Sequence, residues 1–398
     1  MHARESEERR AKNCRRRAAG RATFFLTLSR DDAMNRFLAT AALVAFASSS
    51  ALAQPRWRLT ETLRLGGSET GPTSFLYTKS IEADAKGRIY VYDRKTQDIR
   101  VFAPDGKFLR VIGRLGSGPG EFRDAEGIAF ARDGNLWVRD DANARFSVFS
   151  GEGVYEKGWT MTFCSSSGPW DPQFDRAGRI IDRDCVVAPG RTSKSAVLGY
   201  HTDMSRVDTL SDEPQCGAPA LAEAGWWSVR TARGGSMRSI PYAPVPLTAL
   251  TARGEIWCAP NSAKYEIIRL RPGAADTARI TRAVPRVPVT TAERDSIIAE
   301  IESKGPTGYD FSRIPKEKPA IDRLTVDDQG RLWVRHTNAR GAIAFETFDA
   351  AGRILATAEL GVYNSIVQHP FVVRGDNVYA VVLDGDDVQH VVRFRITP

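Results

Sequence analysis

The chain is short of the residues that most often carry recognisable chemistry. Of its 398 residues only five are His, five Cys and five Met. Beyond residue 53 the His are His201, His336, His369 and His390, with no close spacing that would hold a metal locally. The Cys there are Cys164, Cys185, Cys216 and Cys258, and they too lack the close-spaced pairs of a structural zinc site. No Gly-rich phosphate loop opens a helix, and no nucleophile elbow is present. Asp384-Gly385-Asp386-Asp387 is acidic but lacks the spaced ligands of a calcium loop, so it reads as a hairpin turn. The motif-defined nucleotide, zinc-cluster and serine-hydrolase classes are therefore excluded.

An excess of charge is also missing from most of the chain. The formal charge is +8, but residues 1–53 hold ten Lys or Arg against five acids, which leaves the remainder at only +3. A nucleic-acid partner is not expected of a body so near neutral. The one apolar run, Phe37 to Ala47, is too short to span a bilayer. It follows Arg36 and precedes the small residues Ala51 and Ala53, so residues 34–53 read as a secretory signal cleaved between Ala53 and Gln54. The residue after that point is Gln54 and not Cys, which does not fit a lipoprotein. Residues 1–33 are Arg-rich without periodicity and are read as an upstream extension outside the fold. A periplasmic or extracellular location, no stable membrane insertion, a monomer and permission for disulfides follow as expectations.

What the chain does have is a repeat. Ile81 to Phe122 reads as four short strands, because the alternation in IYVY, IRVF and FLRVIG is broken by turn signals at Lys86-Gly87, Thr96-Gln97-Asp98 and Asp105-Gly106. Gly87, Gly134, Gly178, Gly254 and Gly330 mark the same turn in five copies, with Asp376-Asn377 in the sixth. Three residues after each comes Tyr90, Trp137, Ile181, Trp257, Trp333 or Tyr379, which reads as filling between neighbouring sheets. Asp84, Asp175 and Asp327, three before their glycines, read as turn formers.

The expected fold is all-β: a six-bladed β-propeller over residues 54–398, with a hairpin insertion at 213–246 and a short helical insertion at 285–320. The last copy stops one strand short, and Trp57 to Leu65 at the start of the body is expected to supply that strand and close the ring. In the second insertion, Thr290 and Glu293 form a capping box ahead of Ile297, Ile298 and Ile301, predicting a helix stopped by Gly305-Pro306 and docked on the rim.

The units DAKGRIYVYD, FAPDGKFLRVIG and GSGPGEF resemble NHL-repeat blades, and residues 57–398 are similar to bacterial six-bladed propellers of the NHL/TolB-like type. The resemblance implies a fold more than an activity, since such propellers include scaffolds, ligand binders, lactonases and lyases. Blade parity places the entry of a first strand and the exit of a second at one end of a sheet, which pairs Cys164 with Cys185 and Cys216 with Cys258.

Propellers bind ligands at the mouth of the central channel, where each first strand begins. Seven or eight residues back from the anchors stand Lys79, Glu126, Asp171, Pro246, Asp322 and His369. Glu126, Asp171, Asp322 and His369 are candidate ligands of a divalent cation, calcium or zinc, able to polarise a carbonyl as in lactonase-like propellers, and the same residues also read as a polar rim that faces water. Asp93, Asp140, Asp141, Asp184 and His336 follow at second-strand exits. Trp226 and Trp227 are candidates for a stacking platform, although large aromatics more often serve packing, here as a cover over the propeller body. Two functions are expected: a module that binds a protein, peptide or glycan through its loop face, or a metal-assisted hydrolase or lyase at the channel mouth.

Overall fold

The computed structural model describes residues 54–161, 171–187, 193–212, 216, 224–231, 234–271, 278–304, 308–361 and 370–398. The chain divides into Met1–Ala53 and Gln54–Pro398, and everything below concerns the second unit. It opens with β1 (Arg56–Gly66), followed by the antiparallel sheet β2 (Thr78–Ala83), β3 (Ile89–Asp93), β4 (Asp98–Phe102), β5 (Phe108–Ile112). The second sheet is β6 (Ala125–Phe130), β7 (Leu136–Asp140), β8 (Arg145–Phe149), β9 (Tyr155–Thr160); the third is β10 (Gln173–Phe174), β11 (Ile180–Val187), β12 (Ser193–Tyr200), β13 (Val207–Asp212). A separate hairpin, β14 (Trp226–Thr231) and β15 (Gly234–Ser239), precedes the fourth sheet, β16 (Leu247–Leu250), β17 (Ile256–Ala259), β18 (Glu266–Leu270), β19 (Arg279–Thr281). After helix α1 (Thr291–Lys304) come β20 (Arg323–Val326), β21 (Leu332–Thr337), β22 (Ile343–Phe348), β23 (Ile354–Gly361), β24 (Phe371–Arg374), β25 (Asn377–Leu383) and β26 (Gln389–Thr397). With β1 these last seven strands form one eight-stranded sheet.

The architecture is all-β and propeller-like, with first strands innermost and sheets packed face to face. Each pair of neighbouring four-stranded groups shares an apolar core. One joins Tyr90 and Ile99 to Leu136 and Phe149, the next Trp137 and Val148 to Ile180 and Leu198, and the third Ile181 and Val197 to Ile256 and Cys258. Trp257 and Ile267 then meet Leu332 and Phe348, and Trp333 and Phe345 meet Phe371 and Val378. The series returns to its start where Tyr379 and Val381 meet Ile89 and Val91. The six residues three after the turn anchors, Tyr90 through Tyr379, are all buried in these layers.

The turn glycines recur for a backbone reason. Gly87, Gly134, Gly178, Gly254 and Gly330 all have φ between 75° and 86°, a left-handed conformation that a Cβ disfavours. In three of these turns an aspartate accepts from the backbone around it and pairs with the arginine four residues on: Asp84 with Arg88, Asp175 with Arg179, and Asp327 with Arg331. The string Asp-x-x-Gly-Arg is thus a turn stapled from both sides, and Asp349–Arg353 repeats it at the β22–β23 turn.

Closure runs through β1 as expected and goes further. The strand pairs antiparallel with β26, Leu59 opposite Ile396 and Leu65 opposite Val391, and its first residues also pair parallel with β23, Trp57 opposite Ala358. A bulge lies between Glu61 and Leu63. Side chains alternate along a strand, so one extra residue moves the odd-numbered positions to the other face. Trp57 and Leu59 accordingly pack beside Trp333 and Phe394, whereas Leu63 and Leu65 pack beside Tyr379 and Val391. One strand completes two cores.

The two expected insertion segments meet each other. Thr290 Oγ1 accepts from Glu293 N at 3.2 Å and Glu293 Oε2 from Thr290 N at 2.9 Å, the reciprocal bonds of a capping box at the start of α1. Trp227 on β14, Ile240, Ile301 on α1, Tyr309 and Ile314 form a small core of their own. Lys318 pairs with Glu293 at 2.6 Å and lies over the Tyr242 ring, tying helix to hairpin. Each segment connects a fourth strand to the first strand of the next sheet, on either side of the β16–β19 sheet. Cys216 and Cys258 are joined by a disulfide with Cα atoms 5.6 Å apart. Cys164 and the Cys185 side chain lie outside the described residues, as does His369. Among the described residues no helix is long and apolar enough to cross a membrane.

Candidate functional site

The channel end selected by the first strands is built on buried aspartates. Asp93, at the exit of β3, accepts from Leu76 N at 2.7 Å, Lys95 N at 2.8 Å and Tyr77 N at 3.3 Å. Asp140, at the exit of β7, accepts in the same way from Arg123 N at 3.0 Å, Asp124 N at 3.2 Å and Asn143 Nδ2 at 2.7 Å. Both carboxylates are fully buried and hold the incoming loop against the outgoing one. These second-strand aspartates are clamps, and their oxygens are occupied by backbone donors. Asp93→Ala is expected to cost about 3 kcal/mol, because it strands buried N–H groups, and a urea midpoint with unchanged m would register it.

The expected mouth residues separate into pairs. Lys79 Nζ lies 2.9 Å from Glu126 Oε2, and Arg335 Nε donates to Asp322 Oδ1 at 2.6 Å. Each of these carboxylates therefore has a cation already. His336, on β21, has Nδ1 3.4 Å from the Thr337 carbonyl and its ring beside Tyr265. Pro246 leads into β16. Among the described residues no three His, Cys, Asp or Glu side chains are grouped to hold one metal ion.

Asp171 is set differently. It precedes β10 and lies in charge range of Arg323 on β20, Arg374 on β24 and Arg183 on β11. Burial raises its carboxyl above the usual aspartate range, against the pull of those three guanidinium groups. The Asp171 side chain is nevertheless exposed, so solvent screening weakens both the effect of burial and the pull of the arginines. The same burial, aided by Arg335, pushes the Arg323 guanidinium down to about 10, while Asp171 and Asp322 pull it up. Arg323 is thus shared between two of the expected mouth carboxylates. Arg374 is held above its ordinary value: burial opposes its charge, but Glu82 on β2 meets it with bonds of 2.8 and 2.6 Å. Toward the far end of these strands Gln173 Nε2 donates to Val326 O at 3.4 Å, linking β10 to β20 past the intervening β16 sheet. The inner strands therefore close on one another there.

A second charged layer lies between the β6–β9 and β10–β13 sheets. Arg139 donates to Asp141 at 2.9 Å and Asp182 at 2.8 Å, and Asp184 accepts from it at 3.4 Å and from Tyr200 Oη at 3.3 Å. Burial opposes the Arg139 charge, yet the three carboxylates raise it above its ordinary value. Asp141 and Asp184 are consumed in this packing. The Trp pair is split by strand alternation: Trp227 is buried with its Nε1 donating to Asp310 O at 3.0 Å, and Trp226 is exposed. A stacking surface is left to Trp226.

Arg323, Arg374 and Arg183 escape a reading that looks for acids and His. A trace exists: seven residues before the anchor glycine stand Ser80 and Gly127 in the first two sheets, but Asp171 and Arg323 in the third and fifth copies. Opposite charges replace small residues at one inner-strand position.

A family model described as a 6-bladed beta-propeller matches residues 74–166. Among solved structures, a Bacteroides fragilis protein described as exported is 11% identical over 88% of this chain and 98% of that one, with a TM-score of 0.45. A virginiamycin B lyase from Staphylococcus aureus is 13% identical over 86% of this chain and 89% of its own, with a TM-score of 0.35. A gluconolactonase from Xanthomonas campestris is 11% identical over 81% and 87%, with a TM-score of 0.41. Identities at this level carry no information about chemistry. No curated protein matches the chain.

Proposed function

We propose that the protein is an exported, monomeric six-bladed propeller with NHL-type blades, matured by removal of residues 34–53, that acts as a hydrolase or lyase on a small anionic substrate in its channel. The observation that carries this reading is the convergence of charge on Asp171 from Arg183 on β11, Arg323 on β20 and Arg374 on β24, strands of two different sheets. The guanidinium groups would hold the anionic part of the substrate. Asp171, its carboxyl raised above the usual aspartate range, would take a proton from an attacking water or an acidic carbon and return it to the departing oxygen. For an ester or lactone, water's oxygen then bonds the carbonyl carbon as the C–O bond breaks. The six shared cores support the blade count. The reading as a protein- or glycan-binding loop face has less support, since Trp227 is buried and Trp226 alone remains exposed.

The test is proton release from a panel of carboxylated esters and lactones, followed in a pH-stat. Asp171→Asn is expected to lower kcat by about 100-fold or more, and Arg323→Gln to raise KM by about tenfold. Because the Asp171 pKa is raised, its carboxylate forms only at higher pH than an ordinary aspartate, so the acid limb of kcat/KM should lie above about pH 4. That limb should vanish in Asp171→Asn. Runs with calcium, zinc and chelator test Glu126, Asp171, Asp322 and His369 as metal ligands. Turnover of none of the panel, or equal turnover by Asp171→Asn, would sink the enzyme reading.

A further inference from the structure

A second cavity opens at the same end of the molecule but between the β2–β5 and β6–β9 sheets, away from Asp171. It has a volume of about 490 Å³ and is lined by Tyr77, Arg94, Lys95, Gln97, Arg123 and Asp124. That volume falls in the range of about 300–1,000 Å³ typical of small-molecule sites. Its walls are held firmly. Asp93 binds Tyr77 N and Lys95 N together, and Asp140 binds Arg123 N and Asp124 N. Gln97 adopts φ 56°, accepts from Tyr92 Oη at 2.7 Å and donates to Arg94 O at 2.6 Å, so the loop carrying Arg94 and Lys95 is pinned from beneath.

The charges are unbalanced. Arg94 is engaged by Asp124 through a two-point pair and lies 6.0 Å from the Tyr77 ring centroid. Lys95 and Arg123 are exposed and make no ion pair among the described residues. Three cations thus face one carboxylate around an aromatic ring. Burying a ligand against two uncompensated cations favours an acidic one. The backbone N–H groups of the loops are turned toward Asp93 and Asp140, so no nest of amides is left to cradle a phosphate. What remains are the cationic side chains for a carboxylate, for hydroxyls the lone pairs of Asp124 that Arg94 does not use, and the Tyr77 ring for a sugar face.

We propose that this cavity is a binding site for an acidic sugar, a uronate of one or two residues, with Lys95 and Arg123 pairing with its carboxylate groups. The site uses neither Asp171 nor its arginines. Isothermal titration of the purified protein with digalacturonate, glucose and inorganic phosphate tests it. Digalacturonate should bind, glucose should not, and Lys95→Ala/Arg123→Ala should weaken binding tenfold or more with unchanged thermal stability, since both side chains are exposed. Arg323→Gln, which alters the channel, should leave the affinity unchanged. Binding that survives the double variant, that is lost in Arg323→Gln, or that phosphate displaces at equal concentration would overturn the assignment, as would no binding of digalacturonate.

Discussion

A chain that begins at Gly67 is expected to lose its cooperative unfolding transition and to aggregate at concentrations where the chain that begins at Gln54 does not. Strand β1 joins β23 on one side and β26 on the other, so its loss opens two sheet edges at once. Its bulge sends Trp57 and Leu59 into one core and Leu63 and Leu65 into the next, and both cores are left short of side chains. Burial of Leu65 is worth about 1.5–3 kcal/mol, and the half-buried Trp57, Leu59 and Leu63 add to it, which together is a substantial part of a domain's net stability. Size-exclusion chromatography and urea unfolding of the two chains would measure the effect. A monomeric truncation with an unchanged midpoint would show that β1 does not close the ring.

The next largest effect is expected at Trp333. The side chain is fully buried, packs against Trp57, Phe345 and Phe371, and donates from Nε1 to Asp327 Oδ2 at 2.8 Å. Trp333→Ala should cost about 3–5 kcal/mol through the cavity it leaves. Trp333→Phe adds a distinct loss, because the buried Asp327 carboxylate keeps Arg331 but gives up its indole donor. Trp137 holds the corresponding place in the second sheet, yet its Nε1 has no partner among the described residues. Trp137→Phe should therefore cost less than Trp333→Phe, by about 1–2 kcal/mol. Equal midpoint shifts for the two Phe variants would show that the Trp333–Asp327 bond carries no net stability.

The same two residues show what a repeat does and does not convey. Both occupy one offset from a turn glycine, and both fill an interlayer core, because that offset sets which face of the second strand they leave from. Whether the indole finds an acceptor depends on Asp327 standing in the neighbouring turn, where the second sheet has Ala131 at the corresponding position. The mouth residues behave likewise. Counting back from the glycines located Lys79, Glu126 and Asp322 at strand entrances, but Lys79 and Glu126 pair with each other and Asp322 is met by Arg335. Arg335 is on a second strand, so no count along first strands could find it.

Strand periodicity, the φ > 0 turns and the capping box were legible in the chain because each is a local interaction, decided within about four residues. The sheet order, the pairing of β1 with β26 and the buried anchor side chains follow from them, since a small sheet with two apolar faces must have neighbours. Tertiary structure alone decided the rest. Asp93 and Asp140 became clamps because loops from distant strands brought N–H groups to them. Trp227 turned inward because α1 and Tyr309, more than seventy residues on, supplied an apolar surface. Asp171 came within charge range of Arg323 and Arg374 from strands more than 150 residues away in sequence, as well as of Arg183 in its own sheet, and Coulomb interactions depend on distance in space, which is not written in the order of residues.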